Sequence, residues 1–208
     1  DLDFYYHRHS NLVIQEEKFK NDFDELIFVL TSISDQDLIS EFQKRKEKRK
    51  NIKSLSEPIN SLISRKLKRL NWNHESGIFK EAPYNTTNIR RWRLDFAKNN
   101  IAVEVAFNHA EAIAHNLIKP VLASELNHVK KEIQTRLGVI ITSTNKMKKK
   151  GNFDGAVGTF EDFKLYFKPY NNIITTPIVL IGLKQPESFK INEATRNILV
   201  KDLTYQTG

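Results

Sequence analysis

From Arg91 to Phe107 the chain reads R-W-R-L-D-F-A-K-N-N-I-A-V-E-V-A-F, two runs that alternate apolar and polar residues on either side of Lys98-Asn99-Asn100. A period of two is that of a strand, and paired asparagines tolerate the backbone of a tight turn, so the stretch reads as a β-hairpin closed at Asn99-Asn100. That turn sets the register. Phe96 falls opposite Val103 and Asp95 opposite Glu104, both carboxylates on one face and roughly 5 Å apart at Cβ. Like charges directly across a strand pair destabilise a sheet. The pair is therefore either a solvated outer face or a cation site, and an all-oxygen ligand set suits Mg²⁺.

The 208 residues, 39% hydrophobic and 28% charged, suffice for one globular domain with a real core. The expected division is about 1–70 mainly helical, about 71–185 an α/β core, and 186–208 a polar tail. No apolar run approaches the roughly 20 residues that cross a bilayer, and no charged-then-apolar leader opens the sequence, so a cytoplasmic protein without membrane association is expected. Zero cysteines exclude disulfides, thiolate metal sites and cysteine nucleophiles. A formal net charge of +8 favours a polyanionic partner, nucleic acid before membrane, because no basic stretch is strongly apolar on its other face.

Residues from about 15 to 47 have helical spacing in Phe19, Phe23, Leu26, Ile27 and Leu30, with a second helix starting near Ser34-Asp35-Gln36-Asp37. It ends in the basic run Gln43 to Lys53, in which Lys44 to Lys50 are either a solvated helix end or phosphate contacts. Ser54 to Pro58 opens a helix whose apolar face is Ile59, Leu62, Ile63, Leu67 and Leu70. Ile78, Phe79 and Tyr84 lie in an irregular or edge strand. Beyond the hairpin a long helix is expected from Ala110 to Arg136, bent at Pro120, with an apolar face broad enough to serve the core or a subunit interface. The apolar runs Leu137 to Ile141 and Ile178 to Leu183 read as buried strands, separated by a polar loop, Thr142 to Gly158, and a helix from Thr159 to about Lys168. Strand, strand, helix, strand, helix, strand builds a mixed sheet flanked by helices.

The loop T-N-K-M-K-K-K-G-N-F-D-G-A-V-G, from Thr144 to Gly158, combines four lysines with three glycines. It can bring amides and ammonium groups against phosphates, or simply be a mobile surface loop. It has neither the order of a Walker loop nor that of a dinucleotide loop. His109-Ala110-Glu111 has the H-x-E spacing of zinc deaminases but lacks the cysteine partners that chemistry needs. His74, His115 and His128 read as packed or surface histidines.

The order L-D-F, turn, V-E-V-A-F, a polar pair, helix, G-V-I-I-T, loop and P-I-V-L-I-G-L resembles type II restriction endonucleases of the BglII/BstYI group, within the PD-(D/E)xK nuclease superfamily, over roughly residues 70 to 185. The resemblance implies a restriction-endonuclease-like fold and a Mg²⁺-dependent, sequence-specific endonuclease that cuts double-stranded DNA at a short palindrome as a homodimer. It carries the acids onto Asp95 and Glu104, with the Val105 carbonyl as a further metal ligand. The position of the superfamily's lysine, or of this group's glutamine, holds Ala106. Glu81 is then the leading candidate for a third acid, followed by Glu57 and Glu111. Asn108 and His109, directly after the acidic strand, are candidate base readers, as are Asn152, Asp154 and Thr159, because asparagine suits adenine and aspartate accepts from the cytosine amine. Lys146, Lys148, Lys149 and Lys150 are candidate phosphate contacts. Two alternatives remain: a non-specific or structure-selective nuclease of the same fold, and an inactive DNA-binding relative, which Ala106 would explain.

Overall fold

The computed structural model describes residues 1–49, 51–84, 92–126 and 128–200. A six-stranded mixed sheet runs through it in the order β1-β6-β5-β4-β3-β2, with helices on both faces. The parallel centre is β4 (Ile101–Val105), β5 (Leu137–Ser143) and β6 (Ile178–Leu183). All of β5 is buried, as expected of a strand covered on both sides. The hairpin has the expected register: β3 (Arg93–Lys98) pairs with β4 through Phe96–Val103, Ala97–Ala102 and Lys98–Ile101, and Asn99 takes a positive φ of 47° at the turn. β2 (Asn73–Gly77) extends the sheet beyond β3 and ends just before Ile78, so the edge strand lies earlier than Ile78 to Tyr84.

Odd-numbered residues of β4 face the N-terminal helices. Ile101 and Val103 pack there with Val139, Ile141, Val179 and Ile181 of the neighbouring strands. Against them lie α2 (Glu17–Thr31), α3 (Asp35–Lys48) and α4 (Ser56–Arg69), following α1 (Ser10–Val13). The helices form for local reasons: Phe19, Phe23, Leu26 and Leu30 make one buried stripe of α2, and Ser34 and Asp37 form a reciprocal capping box on α3. Pro58 sits in the first turn of α4, where its missing N–H costs nothing. The other face of the sheet is covered by α5 (Ile113–Ser124) and α7 (Phe160–Phe167), whose Ile113, Leu117, Phe160 and Phe163 pack on Ile140, Ile178 and Leu180.

Several expectations are corrected. The helix after the hairpin is short: a 3₁₀ turn at Ala110–Ala112 leads into α5, which stops at Ser124 instead of Arg136. Beyond it, backbone groups bond across to the segment after β2, with Lys80 N–H on Lys130 O and Glu132 N–H on Ile78 O, so they are not available for a helix. Leu126 is 84% exposed, and the apolar face of α5 is used in the core. The lysine-rich loop is partly helical, as α6 (Asn145–Lys150): the Thr144 hydroxyl accepts the Met147 N–H at 3.2 Å and Met147 is buried. The N-terminal region also contributes a strand, β1 (Leu2–His7), antiparallel to β6. The polar tail contains the pair β7 (Phe189–Ile191) and β8 (Ile198–Val200), with Phe189 and Ile191 buried. Lys50 of the basic run lies outside the described residues. No helix among the described residues is long and apolar enough to cross a membrane.

Candidate active site

The strand pairing between β3 and β4 ends at Phe96–Val103, so Asp95 and Glu104 stand one step past the last paired residues. There Asp95 Oδ2 accepts the backbone N–H of Val105 at 2.7 Å, which fixes the carboxylate against β4. Glu104 is 2% exposed, on the face of β4 that looks toward α5. Its Oε2 is paired with the Lys119 ammonium, itself 9% exposed, while Oε1 is buried without a hydrogen-bond partner. Burial, and after it the charge of Asp95, push the Glu104 carboxyl up to about 8 against the opposing pull of Lys119.

A buried carboxylate oxygen without a donor, beside a second carboxylate, can accept a cation. The donors are all oxygen, which fits Mg²⁺, an ion held by one or two carboxylates while the remaining positions go to water and substrate phosphates. Asp95 and Glu104 would hold it. Among the described residues no three His, Asp or Glu side chains close a complete metal cage. Glu81 does not join the pair: it accepts the Lys130 N–H at 3.4 Å, on the segment after α5. Glu57 is taken up by Arg45 and Arg49. Glu111 is exposed and lines, with Asn108, His109, Phe153, Asp154 and Ser56, an open hollow beside the end of β4.

Of the candidate readers, Asn108 and His109 are exposed and joined to the Asp154–Gly158 loop: Gly158 N–H bonds Asn108 O at 3.1 Å, Ala110 N–H bonds Ala156 O at 2.8 Å, and His109 bridges to Val157. Asn108 makes no helix cap; its Oδ1 accepts from Asn116 Nδ2 at 2.9 Å. Asp154 is exposed and closes its own turn by accepting the Ala156 N–H at 2.8 Å. Asn152 is committed elsewhere, donating to Lys53 O at 2.8 Å. Thr159 is fully buried, bonded through its hydroxyl to Asp162 at 2.9 Å in the capping box of α7, so its side chain faces no groove. Lys146 and Lys149 are exposed. Lys148 instead ties the loop together by donating to Gly155 O and Val157 O, each at 2.7 Å, and Lys150 donates to Pro186 O at 3.2 Å.

Lys119 and Asn116 were not singled out from the sequence, although a signal existed. Lys119 is the only Asp, Glu, Lys or Arg between Glu111 and Glu125, in a stretch otherwise suited to a buried helix. A long ammonium side chain in such a stretch needs a buried partner.

The family described as restriction endonuclease BglII/BglIII matches residues 2–183. The fold is similar to that of a crystal structure of restriction endonuclease BglII complexed with a DNA 16-mer, at 17% identity and a TM-score of 0.65, covering 97% of this chain and 88% of that one. Free BglII is also similar, at 14% identity and a TM-score of 0.54, covering 89% and 80%. No curated protein sequence matched. The chain belongs to the BglII/BglIII restriction endonuclease family and is a type II deoxyribonuclease.

Proposed function

We propose that the protein cuts double-stranded DNA at a short palindromic sequence, using Mg²⁺ held by Asp95 and Glu104, and that it does so as a homodimer inside the cell. The observation that carries this reading is the Asp95–Glu104 pair, with Glu104 Oε1 buried and unpartnered at the end of β4. When bound, the cation supplies Lewis-acid stabilisation of the negative charge that develops on the phosphate during hydrolysis.

The chain's own residues do the rest. Asp95, anchored on the Val105 N–H, and Glu104, buried beneath α5, set the position of the phosphate. The Val105 carbonyl, at the end of the same strand, is a further candidate ligand. Asn108, His109 and Asp154 line one hollow beside that strand end, where base edges would come within reach, and exposed Lys146 and Lys149 add contacts to the backbone of either strand. A two-fold dimer gives one such site per DNA strand and matches the symmetry of a palindrome.

Ala106 favours a second reading, an inactive DNA-binding relative, because a methyl group orients no water and polarises no phosphate. Purified protein incubated with plasmid DNA and Mg²⁺ separates the readings. Discrete fragments support site-specific cleavage, a smear or nicking points to a non-specific or structure-selective nuclease, and retarded but intact DNA points to the inactive relative. Sedimentation on a cognate duplex tests the dimer, and monomers throughout would refute it.

A further inference from the structure

Ala106 follows the last residue of β4, two positions beyond Glu104, and its methyl group is buried with Ile113, Leu117 and Phe160 under α5 and α7. A longer side chain there would compete with the helix for space. That same helix delivers Lys119, whose stem crosses the buried layer and whose Nζ ends on Glu104 Oε2. An ammonium only 9% exposed is expensive to bury, and its pairing with Glu104 offsets that cost.

We propose that Lys119 is the cationic side chain of the cleavage site, supplied from α5 because residue 106 offers only a methyl group. The proposal rests on the nuclease reading above. In the reaction a water oxygen forms a bond to phosphorus, one P–O ester bond breaks, and the leaving oxygen takes a proton while the water's proton passes to solvent. Lys119 makes and breaks no covalent bond and keeps its protons. Its charge lies against the phosphate oxygens, where negative charge accumulates in the transition state.

Because the chain has no cysteine, Lys119→Cys creates a single thiol that can be alkylated in denaturant and refolded. Aminoethylation restores an ammonium of nearly lysine length, and carbamidomethylation gives a neutral side chain of similar size. Three quantities are read: single-turnover cleavage in Mg²⁺, binding of the same DNA in Ca²⁺, and the melting transition without divalent ions. The neutral adduct is expected to cleave about 100- to 1000-fold more slowly than wild type while still melting cooperatively and binding DNA within about threefold, and the aminoethyl adduct to recover at least about a tenth of wild-type cleavage. Lys119→Met and Lys119→Arg, made without refolding, are expected to fall on the neutral and cationic sides in the same way. If neutral and cationic side chains cleave alike, Lys119 only fills space and the assignment is overturned. Wild-type protein that cuts no DNA would instead overturn the nuclease reading, and this assignment with it.

Discussion

Asn116, 3% exposed on α5, donates its amide to the Oδ1 of exposed Asn108 at 2.9 Å, so a buried residue sets the orientation of a surface one beside the end of the acidic strand. If Asn108 reads a base, Asn108→Ala should reduce the preference for cognate over non-cognate DNA by about 1–3 kcal/mol. Asn116→Ala should lose part of the same preference, and the double variant should be no worse than Asn108→Ala alone, because the two act as a unit. Binding in Ca²⁺ to cognate and scrambled duplexes measures this. An unchanged preference in Asn108→Ala would move recognition elsewhere.

Lys149 and Lys148 should behave differently despite being adjacent. Lys149 is exposed, so Lys149→Ala should weaken binding to all DNA alike and lower the slope of log affinity against log salt by about 0.9. Lys148 holds the loop through Gly155 O and Val157 O. Its alanine variant should therefore also blur sequence preference, since that loop carries Asp154 and bridges to His109. A salt titration on two sequences distinguishes the two effects.

Much of this site was legible in the chain alone, because strand periodicity and a two-residue turn are local properties. Asn99-Asn100 placed Phe96 opposite Val103, and that register put Asp95 and Glu104 on one face before any tertiary contact was known. What was illegible depended on distant partners. Leu126 and Val129 continue the apolar spacing of α5, yet the backbone just beyond them, at Lys130 and Glu132, bonds to Lys80 and Ile78, 50 and 54 residues earlier. Thr159 counted as a candidate base reader, but its hydroxyl is bonded to Asp162, and Lys119 gains its meaning only from the packing of α5 on β4.

The raised Glu104 carboxyl gives divalent-ion binding a pH dependence. Its folded-state value of about 8 exceeds the ordinary 4.5, so in the metal-free protein this group's contribution to stability is full below 4.5 and declines as pH rises toward about 8. A cation favours the ionised carboxylate and must displace the proton, so apparent Ca²⁺ affinity should rise up to about tenfold per pH unit below 8 and level off above it. Calorimetry between pH 6 and 9 checks the slope, and Glu104→Gln should abolish it.

Glu41 predicts the opposite behaviour in acid. It is 6% exposed, and although burial raises its carboxyl, the hydrogen bonds from Arg65, Ser61 and Arg45 outweigh that and hold it below the ordinary 4.5. Its stabilisation is present above 4.5 and is lost as pH falls through the folded-state value. Glu41→Ala should cost about 1–3 kcal/mol at neutral pH, because its partners Arg45 and Arg65 are 25% and 42% exposed and water screens what remains of the network. The difference from wild type should shrink in denaturant melts below pH 4.

The Asp95–Glu104 pair as a working cation site is most directly tested by comparing wild type with Asp95→Ala and Glu104→Gln on one plasmid in Mg²⁺. Wild type should produce discrete fragments that chelation abolishes. Each variant should cleave at least about 100- to 1000-fold more slowly while still retarding DNA in Ca²⁺. Wild-type cleavage rates in either variant would contradict the assignment of the site.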